Sequence, residues 1–388
     1  MIRGLRVLIA AQFLSALSDN AMLFIIVAIV LKSGTAPSWY IPALQAVFLI
    51  AFVSLAPWVG PCADRFPKSR VLIAANLTKA VGVGLIMAGL EPLLGYTIVG
   101  VGAALYSPAK YGILPELAEE DRLVHANGWV EGATIGAILI GTLAGAKLAD
   151  RSIDLALAAA TLCYVLSALA SAFLPPIAPR GADLAGVLRR LSGRTAQWLR
   201  PTSARLVLGA LSLFWATAAT LRIALVAWAP SVLGTGSAGE IAELTLFLAL
   251  GIVAGSLSAS RVIPLHRTRR AALPAFAIAV LLVILADTAR LWPARSILFG
   301  IGLAGGMLVV PLNATMQRFG HISIGSGAAV ALQNLFQNLA MLVAVGTYTL
   351  STASGGSAAD VIRSLAVLLL AAGTMIAWRP ATGAPSDP

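Results

Sequence analysis

The stretch LRVLIAAQFLSALSDNAMLFIIVAIVL, residues 5–31, decides the class of fold. It exceeds the ~20 apolar residues that a helix needs to cross the hydrocarbon core of a bilayer. Asp19 lies near its middle, where an ionisable side chain costs ~2.5 kcal/mol or more on insertion scales. Such a residue usually has a partner or faces a substrate path rather than lipid. The segment therefore predicts a membrane-spanning helix with a polar functional position.

The composition extends this interpretation to the whole chain. Of its 388 residues, 59% are apolar and 11% charged, whereas soluble proteins contain about 25% charged residues. The apolar runs lack the alternation of β-barrel strands. We predict an all-α integral membrane protein with twelve transmembrane helices. Their predicted spans are 5–31, 41–62, 71–90, 94–113, 126–149, 153–174, 205–231, 241–262, 271–288, 293–315, 324–350 and 359–378.

The chain also repeats itself. Arg222 interrupts the seventh apolar segment as Asp19 interrupts the first, 203 positions earlier. The same offset separates Gly102 from Gly305 and Pro108 from Pro311. Two parallel copies of six helices are typical of secondary transporters, whose substrate sites lie near the bilayer midplane between the copies. We therefore expect Asp19 and Arg222 to face each other.

A polar interruption separates the two copies. We predict an N-terminal six-helix half over 1–174, a linker over 175–204, and a C-terminal half with a short tail over 205–388. Apolar residues recur in the linker at helical spacing opposite several arginines, a pattern typical of a helix lying in the cytoplasmic interface. A solvated basic connector is the alternative. The apolar positions are Leu184, Val187, Leu188, Leu191, Trp198 and Leu199.

The net charge of +11 indicates orientation rather than nucleic-acid binding. Most of the 27 Lys and Arg residues fall on the same side as the N-terminus when the segments are threaded through a membrane. Because cytoplasmic loops are enriched in these residues, both termini are predicted to be cytoplasmic. The first segment is too long for a signal peptide and is expected to be retained. Cys62 and Cys163 have no spacing partners, so neither a disulfide framework nor a zinc site is predicted.

The segment GPCADRFPKSR, residues 60–70, resembles the cytoplasmic loop signature of the major facilitator superfamily. The resemblance lies in a glycine, an Asp-Arg pair and closely spaced basic residues. It implies that Asp64 stabilises one conformational state at the positive end of a helix in the other half. Pro67 departs from the pattern, which often has glycine there. The matching residues are Gly60, Asp64, Arg65, Lys68 and Arg70.

Six other segments point to a narrower family than the loop signature does. Together they closely resemble the bacterial lysophospholipid transporter family over essentially the whole chain, and YSPAK is the most distinctive part. They are QFLSALSDNA (12–21), GVGAALYSPAKYGIL (100–114), SLFW (212–215), TLR (220–222), VPLN (310–313) and QN (333–334).

That resemblance implies a function. Lysophosphatidylethanolamine and lysophosphatidylglycerol would move from the outer to the inner leaflet of the bacterial inner membrane, where an acyltransferase restores the second chain. In some relatives the acyltransferase is fused to the transporter. Because this sequence ends at Pro388 without such a domain, we expect a separate acyltransferase on the cytoplasmic side. We also expect a monomer without a cofactor.

The polar residues of the apolar segments suit such a headgroup. Arg222 and Lys110 are candidates for the phosphate, since guanidinium allows two-point contact, and Asp19 and Glu131 for the ammonium. Asn20, Tyr106, Gln333, Asn334 and Asn338 are candidate neutral partners. We hypothesise that Asp19 pairs with Arg222 until a headgroup competes for both.

Each of these assignments has an alternative. The pair of Asp19 and Arg222 can be purely structural. Lys110 can extend its side chain toward the interface, and Glu131 can pair with Lys110 or with a neighbouring helix.

Two other functional classes fit the sequence less well. A proton-coupled exporter of a drug or metabolite on the same fold usually needs several buried titratable groups; this chain offers Asp19 and Glu131. A membrane acyltransferase would commonly use a His with an Asp five positions later. The residues five beyond His125, His266 and His321 are Val130, Ala271 and Ser326. We therefore expect a transporter and no enzyme.

Overall fold

The computed structural model describes residues 2–34, 36–117, 123–175, 186–235, 237–263, 269–323 and 326–378. Across these ranges the regular structure is helical, without a strand. This confirms the all-α class, which follows from long apolar runs whose backbone groups must be satisfied within each segment.

Within the described ranges, twelve long helices coincide with the twelve predicted segments, and a short helix lies between the sixth and seventh of them. The largest difference is at the end of the tenth segment, where the helix continues past 315 to Ser323. The helices are α1 (Ile2–Ser33), α2 (Tyr40–Arg65), α3 (Lys68–Met87), α4 (Pro92–Leu117), α5 (Leu123–Arg151), α6 (Ile153–Ala172), α7 (Val187–Trp198), α8 (Thr202–Trp228), α9 (Ala238–Val262), α10 (Ala272–Ala286), α11 (Leu291–Ser323), α12 (Ser326–Ala353) and α13 (Ala358–Ala377).

Ten of these helices are long and apolar enough to cross a membrane, counted over the described residues. The two other long helices, α4 and α12, contain 26 and 28 residues. They carry more polar side chains, among them Lys110 in α4 and Gln333 and Gln337 in α12. All three are buried, which is expected where a membrane helix turns a polar face toward protein.

The chain divides into two compact units, Met1–Leu188 with Gly236–Ala242, and Arg189–Thr235 with Glu243–Pro388. In the first unit α1 packs against α5 and α6, and α3 packs against α4 and α6. In the second, α8 packs against α12 and α13, and α10 packs against α11 and α13. The linker helix α7 ends at Trp198, whose side chain is buried.

Glycine brings helices close in both units. On α9 and α11, Gly251 and Gly255 lie against Gly302 and Gly306, and a Cβ at any of the four would overlap backbone of the other helix. Such small residues let membrane helices approach closely. Gly132 and Gly136 have the same four-residue spacing, yet a Cβ at Gly132 would meet nothing within 4 Å.

The segment that resembles the loop signature is mostly helical. Gly60 to Arg65 form the last turns of α2, and α3 begins at Lys68. Phe66 is extended, and Pro67 has φ −54°, close to the −65° that its ring imposes. Proline therefore suits this two-residue connection between the helices. The side chain of Asp64 lies outside the described part of the structure, so its role stays a prediction.

Candidate functional site

Asp19 is bound by two side chains from other helices of the first unit. Lys79 of α3 donates from Nζ to Oδ2 at 2.8 Å. The Tyr164 hydroxyl of α6 donates to Oδ1, also at 2.8 Å. Both carboxylate oxygens thus have a donor, and the carboxylate joins α1 to α3 and α6.

Lys79 is the more deeply buried partner. Its side chain has no exposed surface, whereas 23% of the Asp19 side chain is exposed. The Lys79 ammonium lies 4.8 Å from the centroid of the Tyr106 ring and 5.4 Å from that of Tyr164. Aromatic faces attract cations at such distances. The carboxylate and the two rings together compensate a charge that would otherwise be strongly unfavourable in this environment.

A chain of hydrogen bonds continues from the ammonium. Lys79 donates to Ser15 Oγ at 2.9 Å, and Ser15 donates to Asn76 Oδ1 at 2.8 Å. Asn76 donates to Ser167 Oγ at 2.9 Å, and Ser167 donates to the Ala11 carbonyl at 2.7 Å. Because each donor reaches an acceptor, the network positions the Lys79 ammonium and, through it, the Asp19 carboxylate.

Gly102 makes room for the lysine. A Cβ at this position of α4 would lie 2.6 Å from both Lys79 Cγ and the Ala75 carbonyl oxygen. Its counterpart in the repeat, Gly305, instead meets the ring of Phe214 at 3.1 Å. The repeated glycine thus admits a charged side chain in one unit and an aromatic one in the other.

The other predicted site residues of the first unit differ in their contacts with this network. Asn20 donates to the Ala16 carbonyl of its own helix at 2.8 Å. Tyr106 and Lys110 are buried on α4, and the Tyr106 ring is one of the two that face the Lys79 ammonium. The side chain of Glu131 lies outside the described residues.

In the second unit, Gln333 of α12 donates to Asn313 Oδ1 of α11 at 2.7 Å. Arg222 is half-buried on α8, Asn334 is exposed, and Asn338 is half-buried. Gln333, a predicted site residue, is thus hydrogen-bonded to Asn313, which belongs to the segment VPLN but was not predicted as a site residue. The pairing of Arg222 with Asp19 stays a prediction.

Sequence reasoning missed Lys79 as the partner of Asp19. The signal was present, because Lys79 is an ionisable residue midway along an apolar segment, and the rule that singled out Asp19 applies equally to it. A comparable signal is absent for Tyr164, Ser15, Asn76 and Ser167, because their side chains are neutral and do not carry the cost of a charge in an apolar segment.

The arrangement provides a polar centre without the features of a metal site. Among the described residues, no group of three or more His, Cys, Asp or Glu could hold a metal ion. The exposed part of Asp19 can accept hydrogen bonds from a cationic group, while Lys79 is out of reach of solvent. Asp19 is therefore the residue of this network available to a ligand.

Comparisons with known proteins agree with this architecture. Residues 8–345 match the Major Facilitator Superfamily. The human organic anion transporter MFSD10 (TETRAN) shares the fold, with a TM-score of 0.69 at 15% identity, over 96% of this chain and 99% of that chain.

Two curated relatives are much closer in sequence, and both are named Lysophospholipid transporter LplT. The one from Photorhabdus laumondii is 42% identical over 90% of this chain and 88% of its own length. The one from Shigella flexneri is 43% identical over 91% of this chain and 90% of its own length. The chain is thus a multi-pass membrane transporter that belongs to the lysophospholipid transporter family of the major facilitator superfamily.

Proposed function

We propose that this protein moves lysophosphatidylethanolamine and lysophosphatidylglycerol from the outer to the inner leaflet of the bacterial inner membrane. The observation that carries the proposal is the 42–43% identity to transporters named for lysophospholipids. A separate acyltransferase on the cytoplasmic side would consume the product. Consumption would keep the inner-leaflet concentration low and favour net inward movement.

The polar centre of the first unit supports a headgroup role for Asp19. Its carboxylate is held by Lys79 and Tyr164 yet remains partly exposed. We assign it the ammonium of the ethanolamine headgroup. Lys79, fully buried, is a positioning residue that fixes the orientation of the Asp19 carboxylate.

The phosphate needs a cation, which we assign to Arg222 on α8, with Lys110 on α4 as a second candidate. Guanidinium suits a phosphate because its planar donors bind two oxygens at once. The acyl chain is apolar and stays among the apolar faces of the helices. Alternating access of the two six-helix halves would then carry the headgroup across the bilayer.

Leaflet transfer of labelled lysophosphatidylethanolamine tests the proposal in right-side-out vesicles that contain the protein. Lipid left in the outer leaflet is extracted with albumin. Per amount of folded protein, we expect transfer by the parent and a loss of about tenfold or more in Asp19→Asn and Arg222→Ala, because each removes a charged contact with the headgroup. Asp154→Asn and Arg290→Ala are matched controls at exposed positions and should transfer like the parent.

Two results would count against this assignment. A folded parent that transfers no lysophospholipid would contradict the substrate. Undiminished transfer in both Asp19→Asn and Arg222→Ala would contradict their headgroup roles while leaving the substrate in place.

A further inference from the structure

The second unit contains a long apolar crevice between α8, α12 and α13. Its volume is about 890 Å³, within the ~300–1,000 Å³ typical of ligand pockets. Aliphatic side chains line most of it, including Leu208 and Leu213 of α8, Leu339 and Val343 of α12, and Leu368 of α13. The crevice belongs to the second unit, whereas the Asp19 network belongs to the first.

The crevice has the length of a lipid chain. It follows α8 from Arg205 to Thr220 and α12 from Phe336 to Ser351. At 1.5 Å per residue, each path is roughly 22 Å long. A chain in one leaflet covers about 15 Å, half of a hydrocarbon core of ~30 Å. The crevice can therefore hold one extended acyl chain together with its glycerol.

Two hydroxyl groups at one end of the crevice have no hydrogen-bond partner. Thr220 Oγ1 and Tyr348 Oη are both buried and unpaired, although buried polar groups are nearly always paired. Thr217, one turn earlier, donates to the Leu213 carbonyl of its own helix at 2.9 Å. Thr220 makes no such bond, and its hydroxyl can be redirected by rotation about χ1, since threonine populates two rotamers in helices.

Charges of both signs lie beside the same end. Val361 and Ser364 of α13 line the crevice there, and the same turn carries Asp360 and Arg363. Arg363 donates to Asp360 at 2.6 Å and also pairs with Asp287. These side chains are exposed. A zwitterionic headgroup, with one phosphate and one ammonium, is complementary to such a cluster.

We propose that this crevice binds the single acyl chain of lysophosphatidylethanolamine. The glycerol lies at Thr220 and Tyr348, the headgroup beside Asp360 and Arg363, and the terminal methyl near Leu208. The free glycerol hydroxyl, which both donates and accepts, pairs with the two unpartnered hydroxyls. A lipid with two chains has no place for the second one. The proposal rests on the proposed substrate but assigns it a second binding site, built from residues of the second unit.

Photolabelling tests the site without relying on transport. The probe is lysophosphatidylethanolamine with a diazirine near its terminal methyl, added to the full chain in phosphatidylcholine nanodiscs. We expect labelled peptides around Leu208–Leu213 and Leu339–Val343. Unlabelled lysophosphatidylethanolamine should compete, and dioleoyl phosphatidylethanolamine should not. Label concentrated around Thr220 and Tyr348, or equal competition by the two-chain lipid, would overturn the proposal.

Variants separate binding from folding. Thr220→Val and Tyr348→Phe should each lower labelling of the crevice about three- to tenfold, as expected for one lost hydrogen bond. Thr217→Val, which does not line the crevice, should label like the parent. Because neither hydroxyl has a partner in the protein, Thr220→Val and Tyr348→Phe should not lower the thermal unfolding temperature without lipid. If the unfolding temperature falls in the same variants that lose labelling, the hydroxyls have a structural role and the proposal is overturned.

The two proposals fail in different ways. Crevice labelling without leaflet transfer would leave this site standing and contradict the proposed function. Transfer by the parent without any label in the crevice would overturn this site alone.

Discussion

The burial of Lys79 and Asp19 is unequal, and this inequality decides how the pair responds to substitution. Lys79 is fully buried, while Asp19 keeps 23% of its side chain exposed. Without Asp19, Lys79 would be a fully buried charge with no counter-ion, left with the Ser15 hydroxyl and two aromatic rings. Without Lys79, Asp19 would retain Tyr164 as a donor and its exposed surface. Removing Asp19 should therefore destabilise the protein more than removing Lys79.

We expect Asp19→Asn to destabilise the protein by about 3–5 kcal/mol, the usual cost of leaving a buried charge unpaired. Lys79→Met should cost less, and Asp19→Asn combined with Lys79→Met should recover much of the loss. Thermal unfolding in detergent, followed by tryptophan fluorescence, measures all three. A double variant as unstable as Asp19→Asn would show that the unpaired lysine is not the cause.

The limits of sequence reasoning are visible at this residue. Asp19 could be singled out because a charge within an apolar run is costly wherever its partner lies. The partner could not be named, because Lys79 and Tyr164 lie 60 and 145 positions away. Only the packing of α1 against α6, and of α6 against α3, brings the three together.

At the level of helices, glycine spacing predicts close packing only where another backbone is opposite. Gly302 lies against the Leu248 carbonyl of α9, and Gly132 has nothing within 4 Å. Both belong to pairs four residues apart in the sequence. Sequence shows the spacing but not which face of a helix is covered.

Gly302→Ala should therefore separate α9 from α11 and destabilise the protein by at least ~1–3 kcal/mol, as overpacking does. Gly132→Ala provides the matched control and should be neutral or slightly stabilising, because alanine is the better helix former. The fraction of monodisperse protein after heating in detergent compares the two. Equal loss in both variants would contradict the packing argument.

For the whole molecule, hydropathy was sufficient to place all twelve long helices. A bilayer demands long continuous apolar segments, and this demand leaves a strong signal in the sequence. The polar segments were harder to predict. For the linker, a helix and a solvated connector were both open, and the structure has the helix α7. The residues that resemble a loop signature lie mostly at the end of α2 and the start of α3.

The distribution of basic residues makes a last prediction about the orientation of the chain. The linker between α6 and α8 should lie on the cytoplasmic side, and the α12–α13 connection on the opposite side. Ser192→Cys and Ser354→Cys test this in a background where Cys62 and Cys163 are replaced by alanine. The two serines are matched, since each is exposed and its hydroxyl donates to a backbone carbonyl three or four residues earlier. In intact spheroplasts a membrane-impermeant maleimide should label position 354, and position 192 should react only after permeabilisation. The reverse pattern would mean that the chain is inserted the other way round. The side of the protein that we assign to uptake of lipid would then face the cytoplasm.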